Sequence, residues 1–171
     1  MSWIQTYSGK RFFPLMPRAD DLDIADIAHS LSLLCRFNGH CRVFYSVAEH
    51  CVRVSERLPP ELGRWGLLHD AAEAYLSDLP RPIKSKMPWF RQVEDRLLAL
   101  IAERFELAWP MPTAVAEVDS RLLATEARDL MRPPPASWDL GVEPYPEPIT
   151  PWEASLAEQR FLDRYAGLTR G

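Results

Sequence analysis

Pro80 and Pro82 close a stretch whose apolar residues recur at helical steps, and that punctuated stretch constrains the fold more than any other. Leu62, Trp65, Leu68, Ala72 and Leu76 fall on one stripe of a helix. The spacing predicts that helix from about Pro60, where proline is tolerated in a first turn, to just before Pro80. Residues 66–84, GLLHDAAEAYLSDLPRPIK, set His69 beside Asp70, Glu73 one turn further on, and Asp78 and Lys84 at the proline-broken exit. On a helix His69 and Glu73 share a face and Asp70 lies about 100° around it, so all three can look into one cleft. The pattern is that of metal ligands.

The rest of the chain reads mostly as helix. WIQTY and RFFPL, split by Ser8-Gly9-Lys10, predict a short hairpin within residues 2–15. Ile24, Ile27, Ala28, Leu31 and Leu34 predict a helix from Asp23 to about Cys35, with acidic residues where the dipole favours them. Asn38-Gly39 breaks that pattern. Ser46 and Glu49 form a capping-box pair, which places His50 in the first turns of a helix that stops before Pro59. A long helix is expected from about Pro88 to Phe105. Another carries Val115, Val118, Leu122, Leu123 and Ala127, with Asp119 beside its apolar stripe. Residues 132–151 are too dense in proline for regular helix and read as an extended arm: a lid, an interface arm or a cover for the core. A last amphipathic helix runs from Trp152 to about Tyr165.

With 171 residues, 47% of them apolar, the chain suits one compact domain. The expected fold is mainly α: residues 1–22 as hairpin and lead-in, 23–131 as a helical core, and 132–171 as proline-rich arm and terminal helix. No run approaches the roughly 20 apolar residues of a membrane span, and the start MSWIQTYSGKRF has no signal-peptide core. A cytoplasmic protein without a membrane partner is therefore expected. Cys35, Cys41 and Cys51 are odd in number and lack CxxC spacing, so they are expected as buried thiols. A net charge of −4 with scattered Lys and Arg argues against long nucleic acid. A small phosphate ester needs only a local patch, and Arg81, Lys84 and Lys86 supply one after Asp78.

His50, His69, Asp70 and Asp119 together make a mixed nitrogen and oxygen set suited to a divalent transition metal with positions left open. Open positions point to catalysis. The order His50, His69-Asp70, Asp119 resembles the H…HD…D signature of the HD phosphohydrolase superfamily. The segments VAEH, HDAAEAYLSDLPRPIK and EVDSRLLATEARDL are similar to those of its 5'-deoxynucleotidase branch. With the Arg36-Phe37 pair, the likeness spans residues 23–131.

The resemblance implies an HD-domain helical bundle in which His50, His69, Asp70 and Asp119 bind one divalent metal ion (Co, Mn, Zn, Fe or Ni), while Glu73 and Asp78 handle water and protons. It also implies contacts of Arg36 and Lys84 with phosphate or base. In related enzymes an aromatic residue after the arginine crowds the sugar 2' position; here that residue is Phe37 rather than tryptophan. Relatives with two or three metals draw extra histidines from the stretch after the HD pair, and this chain has none after His69. A mononuclear site follows. Of the other histidines, His29 reads as structural, and His40, close to Arg36, is a candidate phosphate contact.

The expected chemistry is hydrolysis of the phosphorus to 5'-oxygen ester of a small nucleotide. A coordinated cation makes hydroxide available near neutral pH, Glu73 orients or deprotonates the water, and Asp78 protonates the leaving 5'-oxygen. Lys84 and Arg36 would stabilise charge. Two other readings stand beside it: a triphosphohydrolase of the dATP type, and a metal-dependent nucleotide-binding module without chemistry. Trp138, Tyr145 and Trp152 also offer surface on which two copies could pair as a homodimer.

Overall fold

The computed structural model describes residues 2–169 and is mainly helical, with one short hairpin, as the patterning predicts. The hairpin pairs β1 (Ile4–Gln5) with β2 (Arg11–Phe12) in antiparallel register, Ile4 opposite Phe12. Gly9 turns the chain at φ 82°, in the left-handed region that glycine enters without strain. Asp26 accepts from Ser8 N at 2.6 Å and from Ser8 Oγ at 2.8 Å, which pins the turn to the first helix. Phe12 is thereby driven into the core against Tyr75, ring centroids 4.1 Å apart.

The helices follow in order: α1 (Ile24–Leu33), α2 (Val47–Glu56), α3 (Pro60–Leu68), α4 (Glu73–Leu76), α5 (Arg81–Lys84), α6 (Pro88–Arg104), α7 (Thr113–Leu130) and α8 (Ala154–Thr169). Side-chain caps start α1 and α2. Asp23 caps α1 by accepting from Ala25 N at 2.9 Å, and Ser46 Oγ caps α2 by accepting from Glu49 N at 3.1 Å. The reciprocal half of the α2 capping box is not made. Glu49 accepts instead from Arg53, at 2.7 Å, and from Trp152 N, at 2.8 Å, which fastens the approach to α8 onto α2.

Leu31, Leu67, Leu68, Ile101 and Phe161, all fully buried, knit α1, α3, α6 and α8 into one core. Tyr45, Val54, Trp65 and Leu122 form a second cluster beneath α7. Between α2 and α3 the backbones nearly touch at Gly66, where an added Cβ would lie 2.5 Å from Leu58 Cδ1 and 2.9 Å from Ser55 Cα. Among the described residues no helix is long and apolar enough to cross a membrane.

Two expectations need correction. The single helix predicted from Pro60 to Pro80 is broken: α3 ends at Leu68, and residues 69–72 form a tighter turn with Ala71 N bonded to Leu68 O and Glu73 N to Asp70 O. His69 therefore stands at the end of α3 rather than in mid-helix. The cause is competition for a carbonyl, because His69 Nδ1 donates to Gly66 O at 2.8 Å, the oxygen that Asp70 N would engage in a regular helix. Asp70 N instead faces the Cys51 thiol. The second correction concerns the cysteines: Cys51 is buried, but Cys35 and Cys41 are only half-buried. They flank the loop before α2, where Cys35 bridges to Ser46 and Cys41 Sγ donates to Arg36 O at 3.3 Å while its side chain packs against the edge of the second cluster.

Candidate metal centre and cleft

Three helical segments converge where α2, the turn after α3 and the middle of α7 meet. His50 comes from α2, His69 and Asp70 from the turn, and Asp119 from α7. His50 Nε2 lies 3.2 Å from His69 Nε2, 3.1 Å from Asp119 Oδ1 and 3.7 Å from Asp70 Oδ2; His69 Nε2 is 3.4 Å from Asp70 Oδ2. Atoms bound to one cation at about 2.1 Å can be no more than about 4.2 Å apart, and all four separations fit within that limit. His50, His69 and Asp119 could hold a metal ion, as could the overlapping trio Cys51, His69 and Asp70.

Hydrogen bonds on the far side of each ring select the tautomer that ligation needs. His69 Nδ1–H donates to Gly66 O, and His50 Nδ1–H donates to Glu126 Oε1 at 2.6 Å. With Nδ1 of each ring committed in this way, the two Nε2 atoms are left facing the same point, where a bound cation would take the place of the proton that His50 shares with Asp119. Glu126 is wholly buried and also accepts from Tyr45 Oη at 2.9 Å and from Arg36 Nε at 3.0 Å. Burial alone would raise its carboxyl, yet Arg36 and His50 outweigh burial and hold it below the usual range.

The same balance sets the neighbouring charges. Burial and Arg36 push the His50 imidazole down, but Glu126 and Asp119 on either side lift it to about 9. Burial opposes ionisation of Asp119 too, and the hydrogen bond from His50 overrides it to hold the carboxyl well below its ordinary value. Glu73 runs the other way: burial first, then the charge of Asp70, raise it well above the ordinary value. Its Oε2 is buried and has no hydrogen-bond partner among the described residues. Such an orphaned acceptor in the cleft that Asp70 and Asp119 also line fits a site that could hold a cation and its water.

The cleft in front of these groups encloses about 1130 Å³, enough for a nucleotide-sized molecule. Every residue singled out from the sequence for substrate contact lines it: Arg36, Phe37, His40 and Lys84, together with Glu73 and Asp78. Their engagements differ. Arg36 is half of a buried ion pair, with Nη2 3.0 Å from Glu126 Oε2 and Nη1 3.6 Å from Asp70, so it braces the candidate ligand Asp70 as well as facing the cleft. Lys84 Nζ sits 2.8 Å from Glu94 and 3.1 Å from Asp78. Hydrogen bonding and charge from those carboxylates outweigh burial and keep it firmly protonated. Of the basic trio, Arg81 and Lys84 reach the cleft wall and Lys86 is not part of it.

Sequence reasoning missed Glu126 and Arg91, which also lines the cleft. Glu126 carried a usable signal, since it lies seven residues, two helical turns, after Asp119 and so on the same face of α7. Arg91 carried none, because the fold of α5 against α6 brings it there.

No family model matches the chain. It is 46% identical over 130 residues to the uncharacterized protein YfdR of Escherichia coli K12, covering 76% of this chain and 73% of that protein. It is also 38% identical over 124 residues to an uncharacterized protein of Rhodobacter capsulatus, covering 67% of this chain and 63% of the relative. The chain belongs to the YfdR family.

Proposed function

We propose that this protein is an HD-type, metal-dependent phosphohydrolase that cleaves the 5' phosphate ester of deoxynucleotides around a single divalent transition metal. The observation that carries the reading is the pair of imidazoles, each bonded away through Nδ1, whose Nε2 atoms stand 3.2 Å apart between Asp70 and Asp119. A divalent cation held by His50, His69, Asp70 and Asp119 would supply Lewis-acid polarisation of a phosphoryl oxygen and of water. Glu73, with an unpartnered buried oxygen, is positioned to orient the attacking water and take its proton. Asp78 lies at the opposite end of α4, half exposed and 3.1 Å from Lys84, where it can return a proton to the departing 5'-oxygen. Arg36, Lys84 and Arg91 place positive charge along the wall that a phosphate would follow.

The test is metal analysis of the purified protein, followed by phosphate release from dAMP, dCMP, dATP, the matching ribonucleotides and an aryl phosphate. Orthophosphate from the monophosphates supports the proposal. Release of triphosphate from dATP, with none from the monophosphates, would replace it with the triphosphohydrolase reading. Bound metal without turnover of any member would leave a binding module.

A further inference from the structure

Residues 132–151 leave α7 at Met131 and return along the same helix, and the return leg is firmly held. Arg121 Nε donates to Glu143 O at 3.0 Å, Tyr145 N to Thr125 Oγ1 at 2.8 Å, Arg128 Nη1 to Tyr145 O at 2.7 Å and Ile149 N to Asp129 Oδ2 at 2.9 Å. The Tyr145 ring lies beneath the guanidinium groups of Arg57 and Arg121, 4.8 and 4.2 Å from its centroid. The outgoing leg differs. Within residues 132–142 the side-chain hydrogen bond found is the local one from Asp139 N to Ser137 Oγ, at 3.1 Å. Asp139 and Gly141 turn the chain at φ 45° and 67°, and the loop presents Trp138, just before them, and Leu140, between them, to the cleft.

Trp138 faces Phe37 there, ring centroids 6.0 Å apart and planes inclined by 52°. Phe37 is itself held at φ 54°, ψ 32°, a left-handed conformation that a bulky side chain adopts only when its surroundings impose it. Trp138 keeps 43% of its surface exposed despite its place in the cleft wall. Two aromatic rings thus meet in the cleft lining, which also holds the apolar Leu123 and Met131 and the cationic Lys84 and Arg91. A ligand matching this lining has an anionic group and a flat, apolar group. The helix that anchors the arm also carries Asp119 and Leu123, so the aromatic wall and the metal site share one rigid support.

We propose that Trp138 is a specificity-determining residue: the arm delivers it, beside Phe37, as a stacking surface for the nucleobase, so the cleft selects base-bearing phosphate esters over sugar phosphates. This rests on the function proposed above and deepens it. Stacking of a base on an aromatic side chain contributes about 1 to 3 kcal/mol, or roughly 10- to 100-fold in affinity. The role needs a planar ring rather than an indole N–H, so phenylalanine should serve in its place.

The experiment compares wild type, Trp138→Ala and Trp138→Phe in two arms. Calorimetry on the metal-free protein measures dAMP against 2-deoxyribose 5-phosphate, and steady-state turnover with metal added measures the same pair. Wild type should bind dAMP at least tenfold more tightly than the base-less phosphate. W138A should lose most of that preference through Kd and KM rather than kcat, and W138F should restore most of it. A wild-type preference absent in calorimetry, or present and within twofold in W138A, overturns the inference. Absence of phosphate release from dAMP with the calorimetric pattern intact would overturn the hydrolytic reading alone.

Discussion

Glu126 lies directly behind His50, its Oε1 2.6 Å from Nδ1, and the same carboxylate holds Arg36 through its other oxygen. One buried anion therefore orients a candidate metal ligand and neutralises the arginine that faces the cleft. Removing the orienting partner of a ligating histidine typically lowers metal affinity 10- to 100-fold. Glu126→Gln should show that loss in equilibrium dialysis with Mn²⁺ or Co²⁺. Glu126→Ala should in addition destabilise the fold by about 3 to 5 kcal/mol in urea denaturation, because Arg36 would be left buried without its partner. Metal binding at wild-type strength in E126Q would show that His50 needs no orientation from behind.

In the proposed mechanism Glu73 separates binding from chemistry. It makes none of the close contacts that link the four ligand residues, and its Oε2 is unpartnered. Glu73→Gln should keep metal stoichiometry while kcat on the preferred nucleotide falls about 10²- to 10⁴-fold, the range expected for loss of a general base. Inductively coupled plasma analysis and phosphate release on the same preparation check both halves. Turnover within threefold of wild type would remove Glu73 from the proton path.

The close approach of α2 and α3 at Gly66 sets the separation of His50 from His69. A methyl group there would meet Leu58 Cδ1 and, less yieldingly, the backbone of Ser55. Gly66→Ala should destabilise by about 1 to 3 kcal/mol through overpacking, despite alanine's better helix propensity. It should also weaken metal binding, since the two helices carry the ligands apart and Gly66 O fixes the His69 tautomer. A G66A protein with unchanged melting and unchanged metal affinity would mean that the packing between these helices yields freely.

What was legible in the sequence was what local spacing determines. The cap at Asp23, the cap at Ser46, the hairpin turn at Gly9 and the long stripes of α6 and α7 follow from neighbours within a few residues. The candidate ligand residues were legible as a set because their order along the chain is distinctive, and the helices bring His50, His69 and Asp119 together with Asp70 beside both histidines. The break at His69 was not legible, since apolar periodicity runs unbroken across it and only a side chain taking the Gly66 carbonyl interrupts the ladder. Nor was the half-burial of Cys35 and Cys41, which depends on a loop packed against α7, or the approach of Trp138 to Phe37, whose residues lie far apart in sequence.

Asp23 offers a pH test remote from the metal centre. It caps α1 and accepts from Lys10 Nζ at 2.8 Å; the Lys10 hydrogen bond, then the Ala25 N–H, hold its carboxyl below the ordinary 3.8. A carboxyl depressed in the folded state contributes stability that is complete above its unfolded value near 3.8 and is lost as pH falls through the lower folded value. Lys10, raised by the same bond, contributes at the other end: its share is complete below 10.5 and disappears as pH rises through its folded value. Asp23→Ala should cost about 1 kcal/mol at pH 7, chiefly through the lost cap. Lys10→Met should cost less than about 1 kcal/mol, as exposed ion pairs do. In urea denaturation between pH 7 and pH 2.5, the gap between wild type and D23A should hold steady to about pH 4 and then narrow, the expected sign for a depressed carboxyl. A gap that widened toward acid would mean that Asp23 is destabilised in the folded chain, contrary to its two donors.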